Sequence, residues 1–151
     1  MSAEHIAQLR MIGESAATFA DAHGGSVRAR RAHEGAPAWD AATWKAIAAM
    51  GWLGIAVPED KDGMGLGAPA LAVVAQQAGR ALMTAPLTMG IATAGVLAQG
   101  ASPAGEPLGA LLAGKAHVVL ADGVADEDDR TVHSSLLPDG ETASAWLVAI
   151  G

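Results

Sequence analysis

Between Trp44 and Gly67 the chain reads Trp-Lys-Ala-Ile-Ala-Ala-Met-Gly-Trp-Leu-Gly-Ile-Ala-Val-Pro-Glu-Asp-Lys-Asp-Gly-Met-Gly-Leu-Gly, and no other stretch limits the fold as much. Trp44, Ile47 and Ala48 recur at helical spacing, and Gly51 can take the left-handed conformation that closes a helix. The pattern therefore predicts a helix ending at Met50. Trp52, Leu53, Ile55 and Val57 then form a short apolar run that Pro58 stops, because proline has no amide hydrogen. A charged turn follows over Glu59 to Asp62. Gly63, Gly65 and Gly67 stand at alternate positions, where the backbone can adopt conformations closed to other residues and a second surface can approach closely. A segment that is apolar, then charged, then glycine-rich between two helices is more than a linker.

The flanking sequence reads as further helices. Ser2 is a cap for a first helix over Ala3 to Ala22, with Ile6, Leu9, Ala16 and Phe19 on its apolar stripe. Ser26 to Trp39 is polar and irregular, a connecting loop with at most one helical turn. Asp40 caps the second helix. Pro69 fits the first turn of a third, whose buried stripe is Leu71, Val74, Ala75, Ala78 and Leu82. Pro86 starts a fourth, with Leu87, Ile91, Ala94 and Leu97 or Ala98 facing inward and Gly100 as its stop. Glu106 to Ala113 makes a short fifth, closed by Gly114. Beyond it the pattern changes to strands at Ala116 to Ala121, Thr131 to Leu137 and Ala143 to Ile150, separated by an acidic loop over Asp122 to Asp129 and a Pro138-Asp139-Gly140 turn. The expected fold is mainly α. Five helices form a domain over 1–114, and 115–151 begins a β domain that is incomplete, since two or three strands with one covered face are marginal alone.

Several functions are excluded or disfavoured. The net charge of -7 argues against nucleic acid, and the single basic cluster, Arg28, Arg30 and Arg31, reads as a solvated helix end rather than an anion site. The absence of cysteine removes disulfides, thiol nucleophiles and thiolate metal sites, and fits a reducing, cytoplasmic compartment. Met1 to Arg10 carries Glu4, His5 and Arg10 where a secretory leader needs an apolar centre. The uncharged stretch between Arg80 and Glu106 is long enough to span a bilayer but is broken by Pro86, Pro103 and several glycines, so buried helices are expected there. The five histidines, at 5, 23, 33, 117 and 133, are scattered singly and read as solvated or locally bonded. Asp126, Glu127, Asp128 and Asp129 lack the glycine and distant glutamate of a calcium loop. Gly63, Gly65 and Ala68 match a relaxed dinucleotide pattern without its preceding strand or following acid. Ser134 or Ser135 beside His133 has no spacing that makes a nucleophile. No catalytic or metal-ligating residue emerges.

The run from Trp44 to Glu59, then Gly63-Met-Gly65-Leu-Gly67, then Leu71-Ala-Val-Val-Ala-Gln-Gln-Ala-Gly-Arg-Ala-Leu82, resembles the N-terminal helical domain of the acyl-CoA dehydrogenases. The likeness covers about residues 3 to 114. It implies a subunit with an N-terminal helical domain, a middle β domain and a C-terminal helical bundle. FAD would lie between the last two, and the N-terminal domain would wall the acyl-CoA pocket. In such enzymes a glutamate removes the proton α to the thioester carbonyl, the β hydride passes to flavin N5 and 2,3-enoyl-CoA results. An electron-transfer flavoprotein collects the electrons. The resemblance places the acyl chain against Leu82 to Thr93, with Leu87, Met89 and Gly90 as the substrate-binding residues.

Three positions depart from the family pattern. Leu120-Ala-Asp-Gly123 stands where the family shows Ala-Gly-Ser-Asp after Thr-Glu-Pro, Gln76 or Gln77 replaces a glutamate, and the glycine turn lacks an adjacent Gly-Gly pair. The catalytic base, carried by the C-terminal bundle in most members, has no counterpart here. These departures argue against FAD binding and activity by this chain alone. Two readings are open: part of a longer dehydrogenase, or a divergent, non-catalytic subunit that pairs with a flavin-bearing chain. Either implies homo- or hetero-oligomers, because an incomplete domain leaves apolar faces uncovered.

Overall fold

The computed structural model describes residues 2–100, 105–125, 132–133 and 140–150. Helix α1 (Ala3–His23) begins where the Ser2 hydroxyl accepts the His5 amide hydrogen at 3.2 Å, with Glu4 at its positive end. It lies along α4 (Gly67–Arg80), and Gly13 permits the approach: a Cβ there would stand 3.0 Å from Val73 Cγ1.

Residues 26–39 are not simply a loop. Ser26–His33 forms helix α2, which buries none of its residues. Arginine and alanine are good helix formers, and Arg30, Arg31 and His33 complement the negative end of the helix. Without a buried stripe such a helix leaves no apolar periodicity to detect.

Helix α3 (Ala41–Ala49) is capped by Asp40, which accepts the Thr43 amide hydrogen at 2.7 Å, and it buries Thr43, Trp44 and Ile47. Gly51 follows at φ 74°, the conformation the sequence required of it. The apolar run then curls into a 3-10 turn over Trp52–Gly54, so that Trp52, Leu53, Ile55 and Val57 all point into the core, the last three with no exposed surface. After a second 3-10 turn (Glu59–Lys61) the chain doubles back. The amides of Met64, Gly65 and Leu66 donate to the carbonyls of Gly54, Val57 and Ile55 at 2.8–3.0 Å. Gly63 makes the return possible, because a Cβ there would sit 2.0 Å from the Val57 carbonyl oxygen.

Helix α4 buries Ala70, Val74 and Ala78, but the expected stripe stops there. Leu82 is 51% exposed and adopts φ 52°, because the helix ends at Arg80 and the Met83 amide closes it by donating to Ala78 O at 2.9 Å. Leucine thus fills the left-handed position that glycine usually takes. Helix α5 (Leu87–Gln99) buries Leu87, Gly90, Ile91, Thr93, Ala94, Leu97 and Ala98, and α6 (Gly105–Leu112) adds Leu108 and Leu111. The core gathers these with Trp44, Ile47 and the Trp52–Val57 run.

Three strands follow: β1 (Val118–Ala125), β2 (Val132–His133) and β3 (Ala145–Ile150), in the order β2-β1-β3. β1 pairs in parallel with β3, Val118 opposite Ala145 through Gly123 opposite Ile150, and antiparallel with β2, Val124 opposite His133. The first strand runs to Ala125, so Asp122 to Ala125 belong to the sheet and not to the expected acidic loop. Pairing with β3, Asp122 opposite Ala149 and Gly123 opposite Ile150, draws both residues into a strand against their weak intrinsic preference. Residues 126–131, 134–139 and 151 lie outside the described residues, and with them the remainder of that loop, Ser134, Ser135 and the Pro138-Asp139 turn. The architecture is mainly α with a short sheet. No described helix is long and apolar enough to cross a membrane.

Candidate functional site

The start of α5 is shaped by Pro86, which carries no amide hydrogen, and by Thr84, whose hydroxyl donates to the Ala38 carbonyl. The Gly90 amide donates to Pro86 O at 2.9 Å. Leu87 and Gly90, three apart, lie on the inward stripe. Leu87 is 2% exposed within the core, and Gly90 is fitted beneath an indole, where a Cβ would lie 2.6 Å from Trp44 Cη2 and 3.1 Å from Leu53 Cδ2. Met89 is half-buried and lies off that stripe. The three residues therefore do not share one surface: two are packed into the core and one is accessible.

A second cluster was not legible from the sequence. Trp39, Trp44 and His117 form an aromatic triangle with ring centres 5.1–5.5 Å apart. Trp44 Nε1 donates to Ala116 O at 2.9 Å. The His117 amide donates to Ser144 Oγ at 3.1 Å, the Ser144 amide donates to His117 O at 2.7 Å, and Thr142 Oγ1 lies 3.4 Å from His117 Nδ1. His117 is thus 2% exposed rather than solvated, and the cluster fastens α3 to the entry of β1 and to the segment leading into β3. Its members lie far apart in sequence, so no spacing rule connects them. His23 is locally bonded, with Nδ1 3.0 Å from Phe19 O and its ring stacked on Phe19 at 3.9 Å. Trp39 Nε1 and Thr93 Oγ1 are buried without a hydrogen-bond partner.

Asp40 has a clear displacement: hydrogen bonds from the Thr43 amide and then its hydroxyl hold the carboxyl below the ordinary aspartate range. Among the described residues no three His, Cys, Asp or Glu side chains are grouped to hold a metal.

Comparison with known proteins identifies the class. The profile "Acyl-CoA dehydrogenase, N-terminal domain" matches residues 7–104, and the chain belongs to the acyl-CoA dehydrogenase family. Among solved structures it is similar to a variant of the Tcur3481-Tcur3483 steroid ACAD, with TM-score 0.77 and 24% identity over 95% of this chain and 45% of that one. It is also similar to the ChsE4-ChsE5 complex from Mycobacterium tuberculosis, with TM-score 0.70 and 20% identity over 98% of this chain and 44% of that one. At such identities the likeness establishes the fold. The chain spans less than half the length of either. No curated protein sequence matches it.

Members of the family normally carry FAD, whose carbonyls and phosphates need hydrogen-bond donors. From Ala116 to Ala125 the only polar side chains are His117, enclosed by two indoles, and Asp122, an acceptor when ionised. The stretch holds no hydroxyl and continues as a strand where the family pattern has its Gly-Ser. Residues 116–125 therefore lack the hydroxyl side chains that would fit a flavin there.

Proposed function

We propose that this chain forms a wall of the acyl-CoA pocket in an acyl-CoA dehydrogenase flavoprotein, which oxidises an acyl-CoA thioester to the 2,3-enoyl-CoA. The family match over residues 7–104 carries this reading. In it, 1–114 is the helical domain and 115–151 opens the β domain. Met89 is the side chain that meets the acyl group, while Leu87 and Gly90 hold the first turn of α5 against the core behind it. The catalytic base and the FAD belong to the intact or partnered enzyme, which is a cytoplasmic homo- or hetero-oligomer passing electrons to an electron-transfer flavoprotein.

A second reading is a non-catalytic subunit that pairs with a flavin-bearing dehydrogenase chain. The lack of hydroxyl side chains between Ala116 and Ala125 favours it, and both similar structures carry two-component names. Purification with the intact reading frame or with a co-expressed partner separates the two. If the wall reading holds, the preparation is yellow and reduces a dye with an acyl-CoA, and Met89→Ala raises KM more than it lowers kcat. A yellow, active complex whose KM ignores Met89→Ala, with this chain needed only for assembly, supports the structural subunit. A preparation that is colourless and inactive both as the intact reading frame and with the co-expressed partner overturns both.

A further inference from the structure

Charge is laid out unevenly on this acidic chain. Its net charge is -7, yet Arg28, Arg30 and Arg31 stand together on α2, a helix that contributes nothing to the core. Arg30 and Arg31 lie in the last turn, where the helix field favours a cation. That field does not account for Arg28. It sits in the first turn, where the same field opposes a positive charge and the turn itself carries no acidic residue. Among the described residues the ion pairs join Arg10 to Glu14 and Arg80 to Asp21, and neither Arg28 nor Arg31 takes part in one. Asp40 feels the Arg28 charge, but its carboxylate already accepts the Thr43 amide hydrogen.

Arg28 and Arg31, three residues apart, share a face of α2. With Gly24, Val27, Ala36 and Pro37 they line a cleft of about 430 Å³ that contains no carboxylate, and Arg30 is not among the lining residues. The Gly24 and Ala36 amides already donate to Ala20 O and Arg31 O, and the cleft's side-chain donors are the two guanidinium groups. Paired forks of this kind over a concave, acid-free surface suit the oxygens of a phosphate or pyrophosphate, which each can grip bidentately. We propose that this cleft binds a phosphate-class oxyanion, either free or carried on a larger molecule. The proposal is independent of the acyl-CoA reading above.

Calorimetric titration of the full chain with pyrophosphate tests it. The expected result is one site per chain that weakens as salt rises. Arg28→Gln combined with Arg31→Gln should lower affinity by at least about tenfold. Arg30→Gln, which removes the same charge from the same helix outside the cleft, should change it by less than about twofold. All three side chains are exposed, and circular dichroism of each variant verifies that folding is unaffected. Free CoA is the second probe: competition with pyrophosphate assigns the site to a carried phosphate, and its absence to a free anion. No binding at about 50 mM salt, or equal weakening by Arg30→Gln and Arg28→Gln, overturns the proposal, since general attraction to a basic helix would then be all there is.

Discussion

The indole N–H of Trp44 donates to the carbonyl oxygen of Ala116 at 2.9 Å, joining residues 72 positions apart and tying α3 to the approach of β1. Trp44→Phe keeps most of the ring but leaves a partly buried carbonyl without a donor. A loss of about 2 kcal/mol is expected from denaturant unfolding.

The same indole lies over Gly90. Gly90→Ala places a methyl 2.6 Å from a rigid ring carbon, so overpacking of about 1–3 kcal/mol outweighs the roughly 1 kcal/mol gained in helix propensity. Because the clash is with Trp44, combining Gly90→Ala with Trp44→Phe should destabilise less than the two losses added, and a double-mutant cycle reads this coupling.

Gly63 gives a harsher outcome. Its added methyl would meet backbone, the Val57 carbonyl oxygen at 2.0 Å and carbon at 2.4 Å, with no flexible side chain to move aside. Gly63→Ala is expected to lose about 3 kcal/mol or more, measured as a fall in the unfolding midpoint. Gly67→Ala meets nothing closer than Pro69 Cδ at 3.8 Å and should lose less, its cost coming from φ 65° alone.

Asp40 predicts a pH dependence. Its carboxyl is held below the ordinary range in the folded chain, so the stability it contributes is present above the unfolded value and disappears as pH falls through the folded one. Asp40→Asn retains a capping oxygen but cannot titrate. The stability difference between the two proteins should therefore be present at neutral pH and close on acidification, as measured by thermal melts across that range.

Ile47 and Ile91 have no exposed surface, and each replaced by alanine should cost about 2–5 kcal/mol in equilibrium unfolding.

Much of this architecture was legible wherever one residue type has one job. Asp40 as a cap, Gly51 as a left-handed stop, and Pro86 before α5 all act locally and could be read without neighbours. What escaped depended on distant partners or on the lack of them. Helix α2 buries nothing, so no periodicity marks it; Leu82 fell on an apolar stripe that the helix does not reach; Asp122 and Gly123 joined a strand because β3 lies beside them. At the candidate site, the inward spacing of Leu87 and Ile91 was evident from sequence. The ring that presses on Gly90, and the Trp39–Trp44–His117 triangle, were not, since they are assembled across the whole fold.

Helix α5 touches α4, α6, the Trp52–Gly54 turn and β1. A rod wedged on so many sides cannot shift without loosening all of them, so its amides should be among the slowest in the molecule to exchange with deuterium. For any molecule that arrives at the accessible side of its first turn, where Met89 lies, the rod is a fixed stop.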